Sequence, residues 1–115
     1  MNLQLLLERI RKFRDERDWA QFHNPKDMTA ALAIEASELQ EIFLWKTGPE
    51  IQATVEKKRA AIEDEVADIA VYLFEFVDNL GIDLEAAIVA KLEKNAAKYP
   101  ADRARGSSAK YTELS

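Results

Sequence analysis

A chain of 115 residues that is 48% hydrophobic has the length of one domain and the material for a core, but four short helices cover such a core poorly, which favours an oligomer. The formal net charge of −5 argues against a nucleic-acid or membrane surface, and the absence of cysteine excludes disulfide and thiolate chemistry. No apolar run reaches the roughly 18 residues of a membrane span, and the start MNLQLLLERIRKF lacks a signal-peptide pattern, so the expected location is the cytoplasm.

The first predicted helix runs from about Leu3 to Arg17, with Leu3, Leu6, Leu7, Ile10 and Phe13 on its apolar stripe. Asp18 to Lys26 breaks that period, and Pro25 holds Asn24 extended, so a loop is expected there. Asp27 is the expected N-cap of a second helix, Met28 to about Trp45, which Gly48 and Pro49 stop. Glu50 to Lys58 is compatible with helix. A third long helix is predicted from about Lys58 to Leu80, closed by Gly81. Asp83 caps a fourth, striped by Leu84, Ile88, Leu92 and Tyr99 and ended by Pro100. Nothing reads as a strand. The expected fold is all-α and four-helix bundle-like, with one domain over residues 1–100. Residues 101–115 read as a mobile tail.

Two of these helices carry paired acids. Glu35 and Glu38 stand at i,i+3 in TAALAIEASELQEIFL, and Glu65 and Asp68 repeat the spacing in AIEDEVADIAVYLFEF. Residues three apart share one helix face. Carboxylates among so many Ala, Val, Ile and Leu side chains are costly unless neutralised, and a hard divalent cation does that simply. Oxygen-only ligands suit Mg²⁺, with Mn²⁺ as a substitute. Glu41 and Asp64 lie beside the pairs as further ligands or bases for water. A di-iron bundle would need Glu-x-x-His on two helices, whereas the one histidine, His23, is in the loop. The competing reading is a solvated acidic face. The matching plan of the two helices suggests an antiparallel pair that meets at the acids.

Other residues leave two readings open. Trp19 and Trp45 sit at element ends, where an indole either stacks on a nucleobase or closes the core. His23 is a loop hydrogen-bonder or a catalyst. Lys91, Asn95 and Lys98 form a polar stripe that is either a solvated face or a phosphate contact. In the tail, Arg103, Arg105, Lys110 and Tyr111 either fold over a polyphosphate as a lid or simply solubilise the chain.

Taken together, RDWAQFHNPKD, ALAIEASELQEIFLWK, EDEVADIAVYL and KYPADRARGSSAKYTEL resemble the MazG-like all-α nucleoside triphosphate pyrophosphohydrolases, nearest to their dCTP pyrophosphatase branch. The resemblance implies Mg²⁺-dependent cleavage between the α and β phosphates, giving a nucleoside monophosphate and pyrophosphate. It implies that Glu35, Glu38, Glu65 and Asp68 hold metal, and that Trp19 and Trp45 line the base pocket. Tyr72, Lys91 and Asn95 match nucleotide contacts, and His23 lies in the matching loop. Some relatives have a histidine in the first helix where this chain has Ile10. A dimer or tetramer with sites between chains is also implied. A triphosphate brings about four negative charges to four acids, so metal must mediate their meeting. Glu38 is preferred over Glu35 as the base that activates water. The expected function is a house-cleaning hydrolase for dCTP or modified pyrimidine deoxynucleotides. The alternative is a non-catalytic nucleotide-binding helical module. A purely structural oligomer would leave the acid pairs without a purpose.

Overall fold

The computed structural model describes residues 2–114. They form helices α1 (Leu3–Glu16), α2 (Pro25–Phe43), α3 (Pro49–Lys57), α4 (Arg59–Asn79), α5 (Leu84–Lys98) and α6 (Ala101–Ala104), with 3₁₀ turns at Ala20–Phe22 and Tyr111–Glu113. The fold is all-α, with no strand among the described residues. The chain gathers into two compact units that part between Leu80 and Gly81.

In the first unit, α2 and α4 pack most extensively. They run antiparallel: Met28 near the start of α2 lies 3.3 Å from Asn79 at the end of α4, while Glu35 and Glu38 meet Glu65 in the first half of α4. The N-cap of α1 is Asn2, which accepts from the Leu5 amide. This helix is fixed to α4 by a two-pronged ion pair, Arg11 Nη2 to Asp78 Oδ1 at 2.6 Å and Nε to Oδ2 at 3.1 Å. That pair raises the Arg11 value and lowers that of Asp78. Arg14 Nη1 adds a bond to Asn79 at 2.7 Å.

Two boundaries differ from the sequence expectation. Asn24, not Asp27, caps α2: its Oδ1 accepts from the Asp27 amide at 2.8 Å, and its Nδ2 donates to the Asp27 carboxylate at 2.7 Å. Pro25, read as loop, occupies the first helical position, where a proline loses nothing because that amide has no helical partner. Glu50 to Lys58 is not an ambiguous run leading into one helix. Pro49–Lys57 forms α3, which Lys58 alone separates from α4. At the end of α2, Leu44 leaves the helix and Trp45 follows at φ 65°, so the helix stops two residues before its expected end.

In the second unit, Asp83 caps α5 as expected, accepting from the Ala86 amide at 3.0 Å. The segment after Pro100 carries local order in α6 and the second 3₁₀ turn. Tyr111 packs edge-on against Tyr99 at 6.0 Å, with Lys98 Nζ 4.9 Å from its ring centre. Ser115, the last residue of the tail, lies outside the described residues.

Candidate metal and nucleotide site

The antiparallel packing of α2 on α4 turns two i,i+3 rows toward one another. Oxygens of Glu35, Glu38 and Glu65 all lie within 4.8 Å of each other. Glu35 and Glu65 are half-buried and Glu38 is exposed. Glu35 Oε2 and Glu65 Oε2 are buried with no hydrogen-bond partner. Orphaned carboxylate oxygens are costly, and here two of them stand in a group of three converging carboxylates. An all-oxygen set of this kind fits a hard divalent cation.

The electrostatics carry the same strain. Burial, then hydrogen bonding with Glu38 and Glu65, then the charges of Glu38 and Asp68 push the Glu35 carboxyl up to about 7 from an ordinary 4.5. Glu65 is raised too, by burial first, with its hydrogen bond to Glu35 opposing. A group of like charges that cannot all ionise keeps a proton unless a cation replaces it.

Asp68 does not join the group of three. It lies about one turn, or roughly 5 Å, along α4 from Glu65, and that displacement takes its carboxylate toward a different space. Glu35 and Asp68 line one cleft; Glu38 and Glu65 line another. The acids therefore form a wall open on both sides.

The first cleft, about 580 Å³, lies among α1, the 19–23 loop and α4. Its aromatic and apolar lining includes Phe13, Trp19, Val71 and Tyr72, with His23 and Glu75 as polar groups. Trp19 packs edge-on to Phe13 at 5.8 Å and tilts over His23 at 6.4 Å. Burial raises the Tyr72 phenol, and Glu35, Glu75 and Asp68 raise it further, so its O–H stays a donor. The second cleft, about 710 Å³, lies among α2, α3 and α4. There Lys46, Lys57 and Lys58 face Glu38, Glu41 and Glu65. Asp64 is exposed and lines neither cleft.

The structure thus brings Trp19, His23 and Tyr72 together beside Glu35 and Asp68. It does not bring Trp45 to them. That indole is 87% exposed at the far end of α2, and the 19 residues of the helix span roughly 28 Å. Lys91 and Asn95 lie on α5, and Lys110 and Tyr111 lie in the last turns, all within the second unit. Sequence reading missed Glu75, although an acid between Phe74 and Phe76 in the run YLFEFV was a legible sign of a buried charge. It also passed over Arg14 and the three lysines of the second cleft. Nothing local distinguishes those lysines from ordinary surface residues.

Residues 30–114 match the model of the MazG-like family. The chain is 42% identical over 114 residues to dCTP pyrophosphatase 1 of Mus musculus and 43% identical to that of Homo sapiens, covering 94% of this chain and 67% of each relative. Its fold matches the crystal structure of a pyrophosphatase from Archaeoglobus fulgidus with a TM-score of 0.83 and 36% identity, over 87% of this chain and 94% of that one.

Proposed function

This chain belongs to the MazG-like family, and on that premise we propose that it is a nucleotide pyrophosphohydrolase that splits a nucleoside triphosphate between its α and β phosphates with Mg²⁺. The observation that carries this reading is the convergence of Glu35, Glu38 and Glu65 within 4.8 Å, two of them with orphaned buried oxygens, with Glu35 also lining an aromatic cleft. Cytosine deoxynucleotides, plain or modified, are the favoured substrates, because the mammalian relatives are named for dCTP.

Glu35, Glu38 and Glu65 would hold the metal, with Asp68 adding a carboxylate from the side of the aromatic cleft that it shares with Glu35. Bound there, Mg²⁺ supplies positive charge against the polyphosphate and makes a water more acidic. Glu38, the exposed member of the triad, takes the proton from the attacking water. Water adds across the α–β anhydride, one P–O bond forms as another breaks, and a nucleoside monophosphate and pyrophosphate leave. Trp19 and Tyr72 bound the base, and His23 meets its polar edge. Trp45 contributes from a neighbouring chain, because it is too far from Trp19 to share a base with it in one chain. Lys91, Asn95, Lys110 and Tyr111 are the phosphate and sugar contacts of this reading, with the tail closing over the nucleotide.

A pyrophosphate-release screen over ribo- and deoxynucleoside triphosphates, with 5-substituted dCTP included and with Mg²⁺ or Mn²⁺, tests the reading. Glu38→Gln and Asp68→Asn each remove one charge at nearly constant shape, and each is expected to lower turnover by at least about a hundredfold. Undiminished hydrolysis by both variants overturns the site.

A further inference from the structure

Glu75 is 4% exposed and has no part in the chemistry above. Its Oε1 lies 2.5 Å from His23 Nδ1, while Arg14 Nε approaches the same oxygen at 3.9 Å. The histidine is held a second time, because its carbonyl accepts from Asn79 Nδ2 at 3.3 Å. Both anchors come from the last turns of α4, so the ring has little freedom. Its Nε2 makes no hydrogen bond to any described residue, and the ring lines the cleft beside Trp19 and Tyr72.

We propose that Glu75 is the positioning residue that gives this cleft its choice of base. The inference rests on the reading that the cleft takes the base. A carboxylate only accepts, so Nδ1 of His23 carries a proton, and the role assigned to Nε2 is that of an acceptor facing the cleft. Arg14 Nε stands 3.9 Å from the same Glu75 oxygen, a second positive group beside that carboxylate. A fixed acceptor in a cleft of this kind pairs with an exocyclic amino group and opposes a carbonyl at the same place. The cleft therefore favours a 4-aminopyrimidine over a 4-oxopyrimidine. Glu75 touches no substrate. It acts by fixing which nitrogen of His23 faces the cleft and in which form.

His23 is the one histidine of the chain, so ¹⁵N spectroscopy of histidine-labelled protein reads its tautomer without ambiguity. The parent is expected to show the proton on Nδ1. Glu75→Leu, which fills the space without a hydrogen-bond acceptor, is expected to move the proton to Nε2. It should also lower the ratio of kcat/KM for dCTP over dTTP by about tenfold or more, the value of one hydrogen bond in a desolvated site. Glu75→Gln keeps an acceptor at the same position and is expected to restore both the tautomer and most of the ratio. A merely structural role would not produce that rescue. A parent ring protonated on Nε2, or on both nitrogens, overturns the proposal without any variant, so it stands or falls even if the leucine variant does not fold. An active Glu75→Leu enzyme with the parental dCTP-to-dTTP ratio also overturns it and leaves the hydrolase reading intact. Absence of pyrophosphate release by the parent on every triphosphate removes both.

Discussion

Glu35 is the residue on which the site's charge balance turns. A carboxyl pushed from 4.5 to about 7 binds its proton more tightly in the folded chain than in the unfolded one. The stabilisation from that proton is complete below about pH 4.5 and is lost as the pH rises through about 7. Without metal, the denaturant midpoint at fixed chain concentration is therefore expected to fall between those pH values. Mg²⁺ binds the ionised acids, so its stabilising effect is expected to grow across the same window and to be largest above pH 7. Denaturation series in EDTA and in millimolar Mg²⁺ at several pH values check both slopes. A metal-free profile that is flat from pH 4.5 to 7, or that rises, contradicts the packing of these acids. Glu35→Gln, which carries no titrating proton, is expected to reduce the slope to what Glu65 contributes.

At the scale of elements, α2 decides two things. Its start is set by Asn24, whose side chain satisfies the Asp27 amide, with Asp27 returning a bond to the cap. Asn24→Ala is expected to cost about 1 kcal/mol of stability in denaturant titration, and Asp27→Ala less, since the latter loses only the return bond and a favourable charge in the first turn. The reverse order would restore Asp27 as the cap. Helix α2, roughly 28 Å long, separates Trp45 from the helix start, where the loop that carries Trp19 joins it. Trp19→Ala and Trp45→Ala are each expected to raise KM for every triphosphate by about ten- to a hundredfold, with a smaller fall in kcat than the carboxylate variants show. If the two indoles flank one base from different chains, an equimolar mixture of the variants regains activity. In a dimer about a quarter of the sites then hold both tryptophans. Mixing that restores nothing places the two rings in separate roles.

At the scale of the whole molecule, exposure is the dominant fact. Met28 and Val77 are the only hydrophobic side chains buried among the described residues, while Phe13, Ile34, Val66, Val71 and Leu73 are each more than a third exposed. The accessible surface is 8889 Å². A compact monomer of this size exposes roughly 6,400 Å², and even two separate bodies of the sizes of the two units would expose only roughly 7,600 Å². The excess over the latter exceeds the roughly 800 Å² that one partner contributes to an ordinary interface. Helix α4 has apolar residues on nearly every side and too few neighbours in its own unit to cover them. The chain is expected to form a homo-oligomer, a dimer or tetramer. Light scattering across micromolar concentrations checks this, and a folded monomer throughout that range would refute it.

The helices were legible because their rules are local. Period 3.6 marks α1, α2, α4 and α5, and Asp83 caps α5 as its position suggests. The i,i+3 spacing that aligns Glu35 with Glu38, and Glu65 with Asp68, depends on helix geometry alone, so an antiparallel acidic pair could be expected before any packing was known. The cap of α2 was misplaced because Asn24 and Asp27 are both good caps, and Pro25 reads as loop or as first helical residue with equal right. The break between α3 and α4 leaves no sign in a run of good helix formers. Which acids converge could not be read, because it depends on how α2 and α4 are rotated and offset against each other. That offset groups Glu35, Glu38 and Glu65 and sends Asp68 to the neighbouring cleft. The bond between His23 and Glu75 joins residues 52 positions apart, and only the docking of the 19–23 loop on the last turns of α4 makes them neighbours. Local spacing set the acidic rows; the register between helices decided which oxygens meet, and the docking of the loop on α4 set His23 Nδ1 against Glu75.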